Sequence, residues 1–231
     1  MAADGYRWWL DRLEHTMSQV DLVRLDHFRG FAAHWEVPAG AETAIDGRWV
    51  KGPGLEFFDA VADRLGGLPF IAEDLGDITP DVLELRDALG LPGMAILHFA
   101  FSPEPRSTYI PYAHHRNQAV YTGTHDNNTS LGWFLEDASD GERELVTAYT
   151  GSDGTEIHWD LIRLALASTA DLAVLPHQDL VGLGADCRMN TPAVADGSWT
   201  FRITPWMLGP EIRDRLAEMA GTYGRATVKS P

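Results

Sequence analysis

Short apolar runs alternate with helix-patterned segments along this chain, and that alternation restricts the possible folds more than any other feature. VDLVRLD (20–26), PFIAED (69–74), GMAILHFAF (93–101), AVYTGT (119–124) and LAVLP (172–176) read as strands. Residues 4–19, 54–65, 79–89, 156–169 and 210–221 carry apolar residues at helical spacing. Gly66-Gly67 ends one of these helices, and Thr79-Pro80-Asp81 opens the next with a cap, a first-turn proline and an acid in order. Continuous apolar strands separated by helices belong to a parallel sheet covered by helices. The predicted class is therefore α/β, a partial (β/α)₈ TIM barrel. It has about five strands with their helices, whereas closure takes about eight and typically about 250 residues. Residues 31–53 and 177–205 are expected to be irregular, with a tight hairpin turn at Asp46-Gly47 in the first.

Charge narrows the partners. With 18 basic against 34 acidic residues the formal charge is −16. Such a chain repels nucleic acid and anionic lipid, so neither is expected as a partner, and neutral ligands such as sugars fit better. Cys187 is the only cysteine, which rules out an intrachain disulfide and suits a reducing compartment. The start, MAADGYRWWLDRLE, has no basic n-region followed by an apolar h-region, and no apolar run is long enough to span a bilayer. A soluble, cytoplasmic protein is the expectation.

Three strands end on acids: Asp26 in VRLDHFRGF, Glu73 in FIAEDLG and Asp126 in YTGTHDNNT. In a parallel barrel the C-terminal strand ends line one mouth, and paired carboxylates across a sugar bond are the working parts of glycoside chemistry. A single such acid is as often a helix cap or a loop hydrogen-bond acceptor. Three of them at strand ends weaken that alternative. Arg24 stands two residues before Asp26 and so shares its face of the strand, where a guanidinium favours the ionised carboxylate. A buried structural ion pair would read the same way. Glu73 follows Phe70, Ile71 and Ala72, and apolar surroundings raise a carboxyl pKa, as a general acid needs. Asp74 is expected to stabilise a loop. His125 can donate to a sugar hydroxyl or serve as a structural donor. His27, one residue past Asp26, is expected to point the other way. Trp35, Trp49, Trp133 and Trp199 lie in or beside loops, where a sugar-stacking role competes with core packing or loop anchoring.

At these residues the chain resembles the 4-α-glucanotransferases of the amylomaltase family, relatives of the α-amylases. The resemblance extends through DGYRWWLDRL (4–13), DGRWVKGPG (46–54), LPGMAILHFAF (91–101) and GLGADCRMNTPAVADGSWTFR (182–202), nearly the whole chain. It implies a retaining mechanism on α-1,4-glucan or maltooligosaccharide donors and acceptors. Asp26 would be the nucleophile, Glu73 the acid/base, and Asp126 the third acid, which holds the donor sugar's hydroxyls. Arg24 and His125 match supporting residues. The segment at 186–199 matches one near the substrate cleft, which makes Asn190 and Trp199 candidates for binding. No metal or organic cofactor is implied. The sequence departs from the family's pattern in having Asn128 where an acid is common and His98 where Gln often stands. Family chains are also much longer, and residues 1–231 correspond to the C-terminal portion of one catalytic barrel, roughly its last five strands. An open barrel exposes sheet edges, so the chain expressed alone is expected to fold poorly and to be inactive.

Three other readings remain open at this level. An α-amylase-like hydrolase would use the same carboxylates with water as acceptor. A metal-dependent barrel hydrolase could draw on His27, His125, Asp26 and Asp126, although Arg24 beside a cation is unfavourable. A non-catalytic glucan-binding remnant is the third, and the intact carboxylates argue against it.

Overall fold

In the computed structural model, which describes residues 1–103 and 107–226, the chain divides into two units, Met1–Met94 and Ala95–Pro231. The first unit runs α1 (Arg7–Met17), β1 (Val23–Leu25), α2 (Arg29–Ala32), β2 (Ala33–Glu36), β3 (Arg48–Lys51), α3 (Gly54–Leu65), β4 (Phe70–Ala72) and α4 (Pro80–Ala88). β1 and β4 pair in parallel with Val23 opposite Phe70, Arg24 opposite Ile71 and Leu25 opposite Ala72. α3 buries Phe57, Phe58 and Val61 against Phe28, Phe70 and Val82. Burying a side chain of this size contributes roughly 1.5–3 kcal/mol, so this aromatic cluster anchors the unit. Gly66 ends α3 in the left-handed region, and Thr79 precedes Pro80 at the start of α4.

The stretch expected to be irregular at 31–53 instead holds an antiparallel hairpin, β2 with β3, in which Trp35 lies opposite Trp49. Its connection is the long segment 37–47, not a two-residue turn at Asp46-Gly47. Gly47 serves a different purpose: a Cβ there would overlap the indole nitrogen of Trp35, so the glycine permits close approach.

β5 (Gly93–Ile96) crosses from one unit to the next. The second unit continues with β6 (Gln118–Tyr121), α5 (Ser130–Gly132), α6 (Asp140–Thr150), α7 (Ile157–Ala167), β7 (Leu172–Val174), α8 (His177–Val181) and α9 (Pro210–Thr222). α5 passes directly into a π-helical turn at Trp133–Asp137. A reciprocal box between Ser139 and Glu142 caps α6. The sheet has the order β5–β6–β7, and β6 and β7 are parallel, with Val120 opposite Ala173. Val120, Ile157, Leu161 and Ala165 are fully buried together, so α7 covers the sheet with one apolar face.

β7 departs from the expected buried strand. Leu172 is 39% and Val174 40% exposed, and only Ala173 packs on the core. The strand lies at the sheet's edge, and alternation turns two of its three side chains outward. The 177–205 stretch is also less irregular than its composition implies, since it contains α8 and a 3₁₀ turn at Ala185–Cys187. Each unit thus combines helices with a parallel strand pair, a mixed α/β organisation.

Candidate active site

In the first unit, Asp26 and Glu73 each stand one residue beyond a paired strand, β1 and β4, whose last partners are Leu25 and Ala72. The parallel register therefore sets the two acids side by side at the same end. Two backbone hydrogen bonds and one from a backbone amide to a side chain extend the pairing past the strand ends. The Glu73 amide donates to the Leu25 carbonyl at 3.0 Å and the Phe28 amide to the Glu73 carbonyl at 3.1 Å, while the His27 amide donates to Glu73 Oε2 at 2.7 Å. Arg24 Nη2 meets Asp26 Oδ1 at 2.9 Å, as their shared strand face requires. The Asp26 side chain is 77% exposed. Its partner Arg24 is three-quarters buried, with Nε lacking a hydrogen-bond partner.

The apolar surroundings expected for Glu73 are not what its carboxyl group meets. Phe70, Ile71 and Ala72 are buried behind it, but Oε1 accepts from the Leu75 amide at 3.1 Å and Oε2 from His27. The expectation that His27 points away from Asp26 rested on strand alternation, which does not reach it. β1 stops at Leu25, and His27 sits in a turn at φ +48°, so strand alternation no longer applies. Asp26 and His27 line one cavity of about 780 Å³ together with Tyr6, Trp9, Phe31 and Lys51. Tyr6 is itself in the left-handed region, at φ +58°. Positive φ is uncommon for residues other than glycine and concentrates where function constrains the backbone.

Asp74 stabilises its loop as expected. It is buried, its Oδ2 meets Arg86 Nη1 at 2.5 Å, and its Oδ1 accepts from the Met94 amide at 2.7 Å. A Cβ on Gly93 would overlap this carboxylate. Neighbouring acids therefore divide: Glu73 accepts from the His27 and Leu75 amides at the strand end, and Asp74 ties its loop to Arg86 and Met94.

In the second unit, Asp126 lies in the loop that follows β6, half exposed. Asn190 Nδ2 donates to Asp126 Oδ1 at 2.5 Å, and the Asn190 amide donates to the His125 carbonyl at 3.0 Å. His125 Nε2 is 3.4 Å from Asp126 Oδ1, and the His125 ring lies 5.2 Å from the ring of Trp199. Trp199 is 56% exposed and held at φ +63°. The structure thus gathers Asp126, His125, Asn190 and Trp199 into one cluster.

Sequence reasoning passed over Arg188. Its Nη2 donates to the Asp126 carbonyl at 2.5 Å and its Nε to the Asn190 carbonyl at 2.8 Å, so it fastens both segments. Its place two residues before Asn190 was the available signal. His98, beneath this loop, is fully buried and stacks on Trp133 with rings 5.2 Å apart and nearly parallel. Burial first, and the Arg188 charge second, push its pKa down to about 3. Trp133 is thereby a core residue. Trp35 and Trp49 brace each other edge to face, and the Arg29 guanidinium lies 4.3 Å over Trp49. Among the described residues, no group of three or more His, Cys, Asp or Glu could hold a metal ion, and no helix is long and apolar enough to cross a membrane.

The family model described as 4-alpha-glucanotransferase matches residues 1–208. The 4-alpha-glucanotransferase of Synechocystis sp. is 46% identical over 97% of this chain, which covers 45% of that protein. The chloroplastic/amyloplastic 4-alpha-glucanotransferase DPE1 of Arabidopsis thaliana is 43% identical over 97% of the chain, which covers 40% of it. The amylomaltase of Streptococcus agalactiae, solved in complex with acarbose, superposes with a TM-score of 0.92 at 33% identity, over 98% of this chain and 46% of that one. The chain spans less than half the length of the relatives it matches.

Proposed function

The chain belongs to the 4-alpha-glucanotransferase family, and on that premise we propose that it carries the carboxylates of a retaining transferase that moves α-1,4-glucan segments from donor to acceptor. We read β1, β4, β5, β6 and β7 as the last five strands of a (β/α)₈ barrel, and residues 1–231 as the C-terminal portion of that single catalytic domain.

One observation carries the reading. Asp26 and Glu73 occupy equivalent positions at the ends of adjacent parallel strands. Neighbouring strands run about 4.8 Å apart. Retaining enzymes set their two carboxyl groups about 5–5.5 Å apart, while inverting enzymes leave about 6.5–9.5 Å for a water. Adjacent parallel strand ends bring the two acids close together, which supports the retaining reading.

Asp26 attacks the anomeric carbon of the donor while Glu73 gives its proton to the departing O4, leaving a glycosyl ester on Asp26. Glu73, now ionised, takes the proton of an acceptor 4-hydroxyl, and that oxygen displaces Asp26. Two inversions return the α configuration. Arg24 holds Asp26 in position through their 2.9 Å ion pair. The two amides on Glu73 fix where its oxygens lie. Asp126 binds hydroxyls of the donor sugar, with His125, Asn190 and Trp199 as the binding residues around it. The acarbose held by the Streptococcus agalactiae amylomaltase supports an α-glucan or maltooligosaccharide ligand.

The test is product analysis with maltotriose, using the chain alone and joined to the part of the Synechocystis relative that it does not cover. The isolated chain should give no products. The joined protein should give glucose together with longer maltodextrins, and Asp26→Asn should abolish both. A folded joined protein that only shortens its substrate would establish hydrolysis instead. A product ladder that survives Asp26→Asn would end the assignment of the nucleophile.

A further inference from the structure

The loop that carries His125 and Asp126 leaves β6 at Thr122 and re-enters helix at Ser130. Both ends are fully buried. One carboxylate, that of Asp179 on α8, reaches both. Thr122 Oγ1 donates to Asp179 Oδ2 at 2.5 Å, the Ser130 amide donates to Oδ1 at 2.7 Å, and Ser130 Oγ donates to Oδ2 at 2.8 Å. Asp179 is 1% exposed. His98 Nε2 lies 3.0 Å from Ser130 Oγ, which adds a further buried partner at the same end of the loop.

An ionised carboxylate this deeply buried is costly unless hydrogen bonds satisfy it. Burial pushes the Asp179 carboxyl above its ordinary value, and the donors from Ser130 and Thr122 act against that. Simple packing between α8 and the sheet would be served as well by an apolar residue. What the carboxylate adds is a fixed separation between the two ends of the loop, because Thr122, 57 positions before it, and Ser130, 49 positions before it, donate to its two oxygens. α8 also governs the loop's far side. Gln178, next to Asp179, donates to the Cys187 carbonyl at 3.2 Å, and the residues just after Cys187 supply Arg188 and Asn190 to Asp126.

We propose that Asp179 is a positioning residue: it clasps Thr122 and Ser130 so that the intervening loop presents Asp126 to the sugar in one geometry. The inference rests on the role given above to Asp126.

Hydrogen exchange of the joined protein tests the clasp itself. In Asp179→Ala, the Ser130 amide and those of residues 123–129 should exchange about tenfold faster or more, roughly the loss of one buried hydrogen bond. Amides in the middle of α7 should keep their parental rates. In Asp179→Asn, which retains an acceptor for the Ser130 amide, the loop should recover most of its protection. Equal acceleration throughout the unit, or an unchanged Ser130 amide, would overturn the proposal.

Transfer kinetics of the joined protein test the consequence. Asp179→Ala should lower kcat/KM by about tenfold in the parent, and by less than about twofold when Asp126 is already Asn, because residues acting through one another are not additive. Full additivity would overturn it. If Asp126→Asn by itself costs no activity, the role of Asp126 falls, and the exchange measurement still decides whether Asp179 holds the loop.

Discussion

His27 and Glu73 are joined by a 2.7 Å hydrogen bond from the backbone amide of the first to Oε2 of the second. The other oxygen of Glu73 is held by the Leu75 amide. A glutamine at 73 can accept from only one of these amides and turns a donor toward the other. Glu73→Gln should therefore lose about 0.5–1.5 kcal/mol of stability, the net worth of one hydrogen bond. It should also lose about 10²–10⁴-fold in transfer rate, the usual contribution of a general acid. Urea unfolding and initial rates on maltotriose, both with the joined protein, check the two effects separately. A variant as stable as the parent would mean that these amides are not what hold the carboxyl group.

Asp74 and Arg86 form an ion pair whose side chains are only 6% and 14% exposed. Removing one partner of a buried pair leaves the other charge stranded, at about 3–5 kcal/mol. Arg86 keeps Asp87 as a second, exposed partner, so Asp74→Ala should fall toward the lower end of that range. Asp74→Ala combined with Arg86→Met should lose less than Asp74→Ala alone. The reverse order in denaturant midpoints would refute this account.

His98 supplies a pH dependence. Its pKa falls from 6.5 in the unfolded chain to about 3 in the folded one. Below pH ~6.5 the unfolded state takes up a proton that the folded state refuses, so stability drops as pH falls from about 6.5 toward 3. The slope from this group is at most about 1.4 kcal/mol per pH unit. His98→Gln can still donate to Ser130 and should flatten the acid limb. Some slope should remain, because burial also lowers His114 and His158. Urea midpoints across the range distinguish the outcomes, and identical profiles for variant and parent would exclude His98 as a source.

Asn190 orients Asp126 through a 2.5 Å hydrogen bond. Asn190→Ala removes it and leaves the Asp126 carboxylate free to turn. In the joined protein we expect KM for maltotriose to rise about tenfold, the equivalent of one such bond, with a smaller change in kcat. A fall in kcat at constant KM would instead place Asn190 in the chemical step.

What could be read from the sequence was whatever depends on near neighbours. Arg24 and Asp26 pair because strand residues two apart share a face, and Gly66 and Pro80 bound their helices by local backbone preference. The hairpin at 33–51 was hidden because its strands are four residues each and lie 11 residues apart, with no turn dipeptide between them at a useful spacing. β7 was misjudged because its composition is that of a buried strand, whereas burial depends on what lies alongside. The grip of Asp179 on Thr122 spans 57 positions and leaves no periodic trace. Asn190 came from resemblance alone and Trp199 from resemblance and its place in a loop, and the structure brings them to Asp126 and His125 through contacts that composition could not suggest.

The overlap between a Cβ at position 93 and the Asp74 carboxylate also constrains how this chain can evolve. The two positions cannot drift independently. Alanine at 93 becomes tolerable only in a lineage that has already given up the acid, and giving up the acid first strands Arg86. Each single step is unfavourable, so the glycine and the aspartate should be inherited together even though neither is assigned a part in catalysis.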